Sequence, residues 1–282
     1  MKKVKVLTDS TAYLPQTFID QYQITVIPLV LIWEEEMYRD GVDITPEEFY
    51  TRLANSESLP STSQPPVMSF KQAFESLVDQ GHDVIAILIS SQISGTVDTA
   101  IQAKQKLDKG KIEIIDSESS GMAMGLQILE VARAASQGAS LAECTSIAEK
   151  AKKHSDVIFA VDTLEFLHRG GRIGGAKRFL GSMLNIKPIL EMKDGRIEAV
   201  EQVRTQQRAT SRLIQLMKNR VNEEKPLRIA VMHSKAPKRA KMLLDRAERE
   251  FHTEQSILAE LSPVIGTHVG PGTLALAWIH GL

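Results

Sequence analysis

Seven residues, Arg169-Gly170-Gly171-Arg172-Ile173-Gly174-Gly175, concentrate the chemistry of this chain. Two arginines stand among four glycines with no acid between them. Glycine lets the backbone approach a ligand closely and adopt positive φ. Arginine presents a rigid fork of donors suited to carboxylate or phosphate. The segment reads as an anion-handling loop; a loop of solvated arginines fits these seven residues equally well. Two hydroxyl-rich clusters bear on that choice. One is Ser61-Thr62-Ser63-Gln64-Pro65; the other, Ser91-Gln92-Ile93-Ser94-Gly95-Thr96, follows the apolar run Val84–Ile89. A polar, glycine-containing turn after a buried strand is where an α/β sheet places its ligand contacts. Taken singly, each cluster is also what an N-cap or a turn requires. A fourth segment, Gly266-Thr267-His268-Val269-Gly270-Pro271-Gly272-Thr273, sets one histidine among glycines.

Other chemistries lack their residues. The arginine loop fails the phosphate-loop pattern, since Ala176 stands where lysine is required and no Ser or Thr follows Lys177. No strand leads into G-x-G-x-x-G, and no G-x-S-x-G occurs. Six further histidines show no metal spacing, and Asp9, Asp116 and Asp162 end strands without grouping as magnesium ligands. The single cysteine, Cys144, falls in a helical pattern and permits no intrachain disulfide.

The segments Thr8-Asp9-Ser10-Thr11, Ser61–Pro65, Ser94-Gly95-Thr96, Asp116-Ser117, Arg169–Gly174, Lys187-Pro188 and Gly270-Pro271-Gly272-Thr273 run in order along nearly the whole chain. In that order the chain resembles the DegV family, bacterial fatty-acid-binding proteins that serve as the lipid-carrying subunit of fatty acid kinase. The resemblance implies a two-domain DegV-like α/β fold and a long-chain fatty acid held in a buried tunnel. It implies that Thr62, Ser94, Gly95 and His268 serve the carboxylate, Gly95 by leaving backbone N–H exposed. Arg169 and Arg172 would meet the acyl phosphate or a partner, and which does which stays open. The implied partners are an ATP-dependent kinase subunit and an acyl-phosphate-using acyltransferase feeding phospholipid synthesis. The chain itself would be a carrier, with no catalytic residue, no metal and no cofactor beyond its lipid. A lipid sensor without a kinase, or a self-sufficient kinase-like or hydrolytic enzyme on a related fold, are the alternatives.

Composition agrees with a globular carrier. The chain has 282 residues, 43% of them hydrophobic, and a net charge of −1, so it is no electrostatic binder of nucleic acid. Residues 1–155 carry 14 Lys and Arg against 21 Asp and Glu; residues 156–282 carry 20 against 14. The basic second half could face an acidic partner or a phosphate. The longest apolar run, Ile24–Trp33, is about half the ~20 residues of a membrane span. The start of the chain lacks a signal-peptide pattern. The expectation is a cytoplasmic protein without stable membrane insertion.

These residues must be positioned by a regular frame. Val4–Leu7, Ile24–Ile32, Asp83–Ile89 and Lys111–Ile115 read as strands, and an Asp40-Gly41 hairpin turn is expected after the second. Thr45-Pro46-Glu47-Glu48 and Ser140-Leu141-Ala142-Glu143 open helices, and Phe70, Phe74, Leu77 and Val78 repeat at helical spacing. Alternating strands and helices predict a Rossmann-like, mostly parallel domain over residues 1–155. Thr62 and Ser94 fall in loops at its mouth. Hairpin signals around Asp194-Gly195 predict an α+β domain with a mixed or antiparallel sheet over residues 156–282.

Overall fold

The computed structural model describes residues 3–181, 186–222 and 225–281. Strands β1 (Val4–Asp9) and β2 (Thr25–Ile27) open a parallel sheet. Strands β3 (Val30–Trp33), β4 (Glu36–Arg39) and β5 (Ser61–Ser63) form a small antiparallel sheet in the order β4-β3-β5. Strands β6 (Asp83–Leu88) and β7 (Ile112–Asp116) return to the first sheet, which runs β2-β1-β6-β7. The remaining strands are β8 (Ser155–Ala160), β9 (Lys187–Lys193), β10 (Arg196–Val203), β11 (Leu227–His233), β12 (Gln255–Glu260) and β13 (Leu274–His280). They build a mixed sheet ordered β10-β9-β8-β13-β11-β12, parallel at β11–β12 and antiparallel elsewhere.

Side-chain alternation explains the layering. On β6, Val84, Ala86 and Leu88 enter one apolar cluster, while Ile85, Ile87 and the following Ile89 enter another. A strand buried on both faces needs such a continuous apolar run. On β13, Ala275, Ala277 and Ile279 face the same inner cluster as Ile85, while Leu274, Leu276 and Trp278 face a third. The inner cluster is filled by the helices Gly121–Ser136 and Leu141–His154, which lie between the two large sheets. The first of these is apolar nearly all round and is buried accordingly. The second starts with the expected capping box, Ser140 and Glu143 bonding each other's backbone. The helices Val67–Asp79 and Thr96–Gln105 cover the outer face of the parallel sheet. Gln206–Lys218 and Pro237–Glu250 cover the outer face of the mixed one. No described helix is long and apolar enough to cross a membrane.

Three expectations about local structure need correction. The stretch read as one strand, Ile24–Ile32, divides at Pro28 into β2 and β3, which join different sheets. Proline removes a ladder donor at the division. The hairpin turn between β3 and β4 is at Glu34-Glu35, with Glu34 at φ 59°, and Asp40-Gly41 instead starts the path to the helix Pro46–Asn55. Thr62 belongs to strand β5, opposite Leu31 of β3, and not to a loop of the parallel sheet. The Asp194-Gly195 turn, in contrast, joins β9 to β10 with both residues at positive φ.

A candidate lipid-binding pocket and its polar mouth

Four of the residues picked out in the sequence converge on one pocket. Thr62, Ser94, Arg172 and His268 line one hollow between the sheets. Most of the wall is apolar, including Val157, Phe159, Met192, Met232, Ile265 and Ala275 from the mixed sheet and its connections. Ser94 and Arg172 also line an outer hollow with Gly95, Gly171 and Arg196, so they stand at the boundary between the pocket and the surface.

His268 arrives on a helix that the sequence reading missed. Pro263–Val269 begins at Ser262, whose side chain accepts the Ile265 N–H at 3.2 Å, with proline at its first position. The Val264 N–H donates to the buried Asp40 carboxylate at 3.4 Å, and Ser10 Oγ donates to the same group at 2.7 Å. Gly266 lets this helix sit directly against Phe49 and Tyr50, whose rings would meet any added Cβ. The contact brings His268 Nε2 to 2.8 Å from Thr62 Oγ1 across the chain.

Burial and the nearby Arg172 charge push the His268 pKa down to about 4. The ring is therefore neutral at ordinary pH, with one nitrogen protonated. His268 Nδ1 is buried with no hydrogen-bond partner among the described residues. A buried orphan donor costs more than an acceptor with an unused lone pair. The Nε2–H tautomer is thus favoured, with Thr62 accepting from it. The Thr62 hydroxyl proton is then free to point at a ligand. Ser94 Oγ lies 2.8 Å from Thr96 Oγ1, and a hydroxyl pair of that kind likewise leaves one proton for a ligand.

Arg172 is anchored by backbone: Nε donates to Ile93 O at 3.1 Å and Nη1 to Gly170 O at 2.7 Å. No carboxylate pairs with it among the described residues, and it carries the one charge among the described lining groups. A guanidinium so placed is a counterion in waiting. Gly170 has a packing role, since a Cβ there would collide with the His268 ring. Arg169 faces away: it pairs with Glu165 at 2.6 Å, its side chain 60% exposed, and does not line the pocket. Gly95 precedes the helix Thr96–Gln105 and lines the outer hollow only. Among the described residues no three His, Cys, Asp or Glu side chains gather to hold a metal.

The sequence reading quoted Gln64 but gave it no role, yet it lines the pocket. Gln64 follows strand β5, and Ser63 between it and Thr62 lines the same pocket, so no alternation marks Gln64 in the sequence. Asp40, which holds the histidine-bearing helix, carried no signal beyond its place in a turn.

Known proteins of the same shape can now be set beside this geometry. A "DegV domain-containing protein" of Clostridium perfringens is 39% identical over 279 residues, covering 98% of each chain. A structure described as "Fatty Acid Binding of a DegV family Protein from Thermus thermophilus" superposes with a TM-score of 0.93 at 30% identity, covering 99% of this chain and 100% of that one. "DegV, a fatty acid binding protein from Bacillus subtilis" superposes with a TM-score of 0.91 at 34% identity, covering 100% of both. The profile of the family described as "Uncharacterised protein, DegV family" matches residues 3–281, and the chain belongs to that family.

Proposed function

We propose that this protein carries a long-chain fatty acid in the pocket beneath Thr62 and Ser94. It presents the carboxylate to a separate ATP-dependent kinase subunit, and the acyl phosphate passes to an acyltransferase of phospholipid synthesis. The observation that carries the reading is the pocket's division of labour. Most of its wall is apolar, while Ser94 and Arg172 stand at the edge shared with the outer hollow and Thr62 and His268 line the same pocket. A buried acyl chain gains about 0.8 kcal/mol per CH₂. Its carboxylate costs several kcal/mol to bury unless hydrogen-bonded. The two hydroxyls and the arginine meet that cost at one place. The DegV structures of Thermus thermophilus and Bacillus subtilis, described as fatty acid binding, support the same ligand class.

The residues divide the work. Thr62, oriented by His268, and Ser94 donate to the carboxylate. Arg172 follows the charge as it grows from carboxylate to acyl phosphate. Arg169, exposed beyond the pocket, suits the partner. Nucleotide and metal belong to the kinase subunit in this reading. The chain divides near residue 155, with Thr62 and Ser94 from the first part and Arg172 and His268 from the second, so the head group lies where the two parts meet.

Lipid extracted from the purified protein and identified by mass spectrometry should be long-chain fatty acid in stoichiometric amount. Delipidated protein reloaded with fatty acid should yield acyl phosphate with ATP and the kinase subunit, and none without that subunit. Protein that neither retains nor takes up fatty acid would overturn the carrier reading. Uptake without phosphorylation would overturn the kinase partnership and leave a lipid sensor.

A further inference from the structure

Gly95 is a glycine whose backbone does not require one. Its φ of −78° and ψ of 9° are open to other residues. What crowds a side chain there is Gln64: a Cβ on Gly95 would lie 3.1 Å from Gln64 Cδ and Nε2 and 3.3 Å from its Oε1, so the amide would have to give way. The Gln64 amide therefore lies flat on the Gly95 backbone, beside Ser94. Both Gln64 and Ser94 line the lipid pocket.

Four of the other polar groups lining the pocket have protein partners. Thr62 holds His268, Ser94 holds Thr96, and Arg172 holds the carbonyls of Ile93 and Gly170. The Gln64 amide has no such partner among the described residues, and the residue is exposed. A primary amide offers two donors and an acceptor. Set against Gly95 and lining the pocket, its N–H groups are placed to turn to the oxygens of a bound head group.

We propose that Gln64 is a head-group gate: its amide closes over the carboxylate of a bound fatty acid and retains it, and Gly95 is glycine to give that amide its seat. The proposal rests on the fatty-acid reading. Gly95 then acts on the ligand through Gln64 rather than through its own N–H.

The test is a double-mutant cycle, with oleate and its methyl ester as probes and release rates as the readout. Gln64 is exposed and Gly95 has ordinary dihedrals, so Gln64→Ala, Gly95→Ala and the double variant should keep the wild-type melting profile. Gln64→Ala should release oleate about tenfold faster, the effect of losing a hydrogen bond to a charged group. The methyl ester, which lacks the charge, should change by less than about twofold. Gln64→Glu, nearly the same shape but negative, should release oleate faster than Gln64→Ala. Gly95→Ala should speed release about threefold when Gln64 is present and leave it unchanged when residue 64 is alanine. Wild type that retains oleate together with an unaffected Gln64→Ala would overturn the gate alone. An equal effect of Gly95→Ala in both backgrounds would overturn Gly95 as its seat. Wild type that holds neither probe would overturn the carrier reading, and the gate with it.

Discussion

Two hollows of this molecule, both lined by polar groups, differ in what those groups have left to give. Beside Ser10, Asp9 and Asp40 line one hollow and are satisfied from within. Asp9 Oδ1 accepts from the Thr11 N–H at 2.9 Å and from its hydroxyl, and Oδ2 accepts from the Ile89 N–H at 2.7 Å. Asp40 accepts from Ser10 and Val264. At the lipid pocket, Arg172 has no carboxylate partner among the described residues, and the Thr62 and Ser94 hydroxyls each keep a proton to give. Saturated groups hold a fold together; groups with unspent donors and charge await a ligand. The first hollow serves the second, since Asp40 fixes the helix that carries His268.

The largest effect expected is on the structural side. Asp9→Ala strips the Ile89 and Thr11 backbone donors of their acceptor deep in the core. It should cost about 3 kcal/mol or more in denaturant unfolding. Mild destabilisation would mean that this carboxylate is as dispensable as a surface group, and the contrast would break.

Asp40 adds a pH signature. Burial pushes its carboxyl up to about 7. Between about pH 4 and 7 the folded chain binds more protons at this group than the unfolded chain, so its contribution falls as pH rises through that window. Asp40→Asn removes the effect. Its stability relative to wild type should climb with pH from about 4 to 7, by up to about 4 kcal/mol, and then level off. His268 acts with the opposite sign, because its folded pKa is depressed. Its cost emerges as pH falls from 6.5 toward about 4. Asp40→Asn should therefore show a steeper acid loss than wild type. Parallel stability–pH curves for the two proteins would contradict the Asp40 assignment.

On the ligand side the expected effects move to binding. Thr62→Ala and Ser94→Ala should weaken fatty-acid affinity by about 2 kcal/mol in calorimetric titration, with smaller changes in unfolding stability. The arginines, three residues apart, should separate further. Arg172→Ala should lower acyl-phosphate formation more than fatty-acid affinity, because the acyl phosphate carries the greater charge. Arg169→Ala breaks an exposed pair with Glu165 and should alter stability by at most about 0.5 kcal/mol. Any loss of turnover in Arg169→Ala should be rescued by a higher kinase concentration. Failure of that rescue would move Arg169 from partner contact to head group.

Legibility in the sequence followed the range of the forces involved. β6 and its two-faced apolar run, the N-cap at Thr45, the capping box at Ser140 and the Asp194-Gly195 turn are local patterns, and each formed as read. Thr62, Ser94, Arg172 and His268 were found through the ordered family motifs, and the fold brings them to one pocket. Strand β5 escaped because Ser-Thr-Ser has no apolar alternation and exists as a strand only through its pairing with β3. The helix Pro263–Val269 escaped because seven residues give too little periodicity and its glycine read as a breaker. The roles of Gly95, Gly170 and Gly266 depend on what a Cβ would strike across the fold, and no one-dimensional pattern contains that.

The central claim is best tested by a crystal structure of the protein purified without delipidation. The account predicts elongated density along the apolar wall near Phe159 and Met232, ending in a carboxylate within hydrogen-bond reach of Thr62 and Ser94. A pocket closed by repacked side chains, or density with its polar end away from those two hydroxyls, would contradict it.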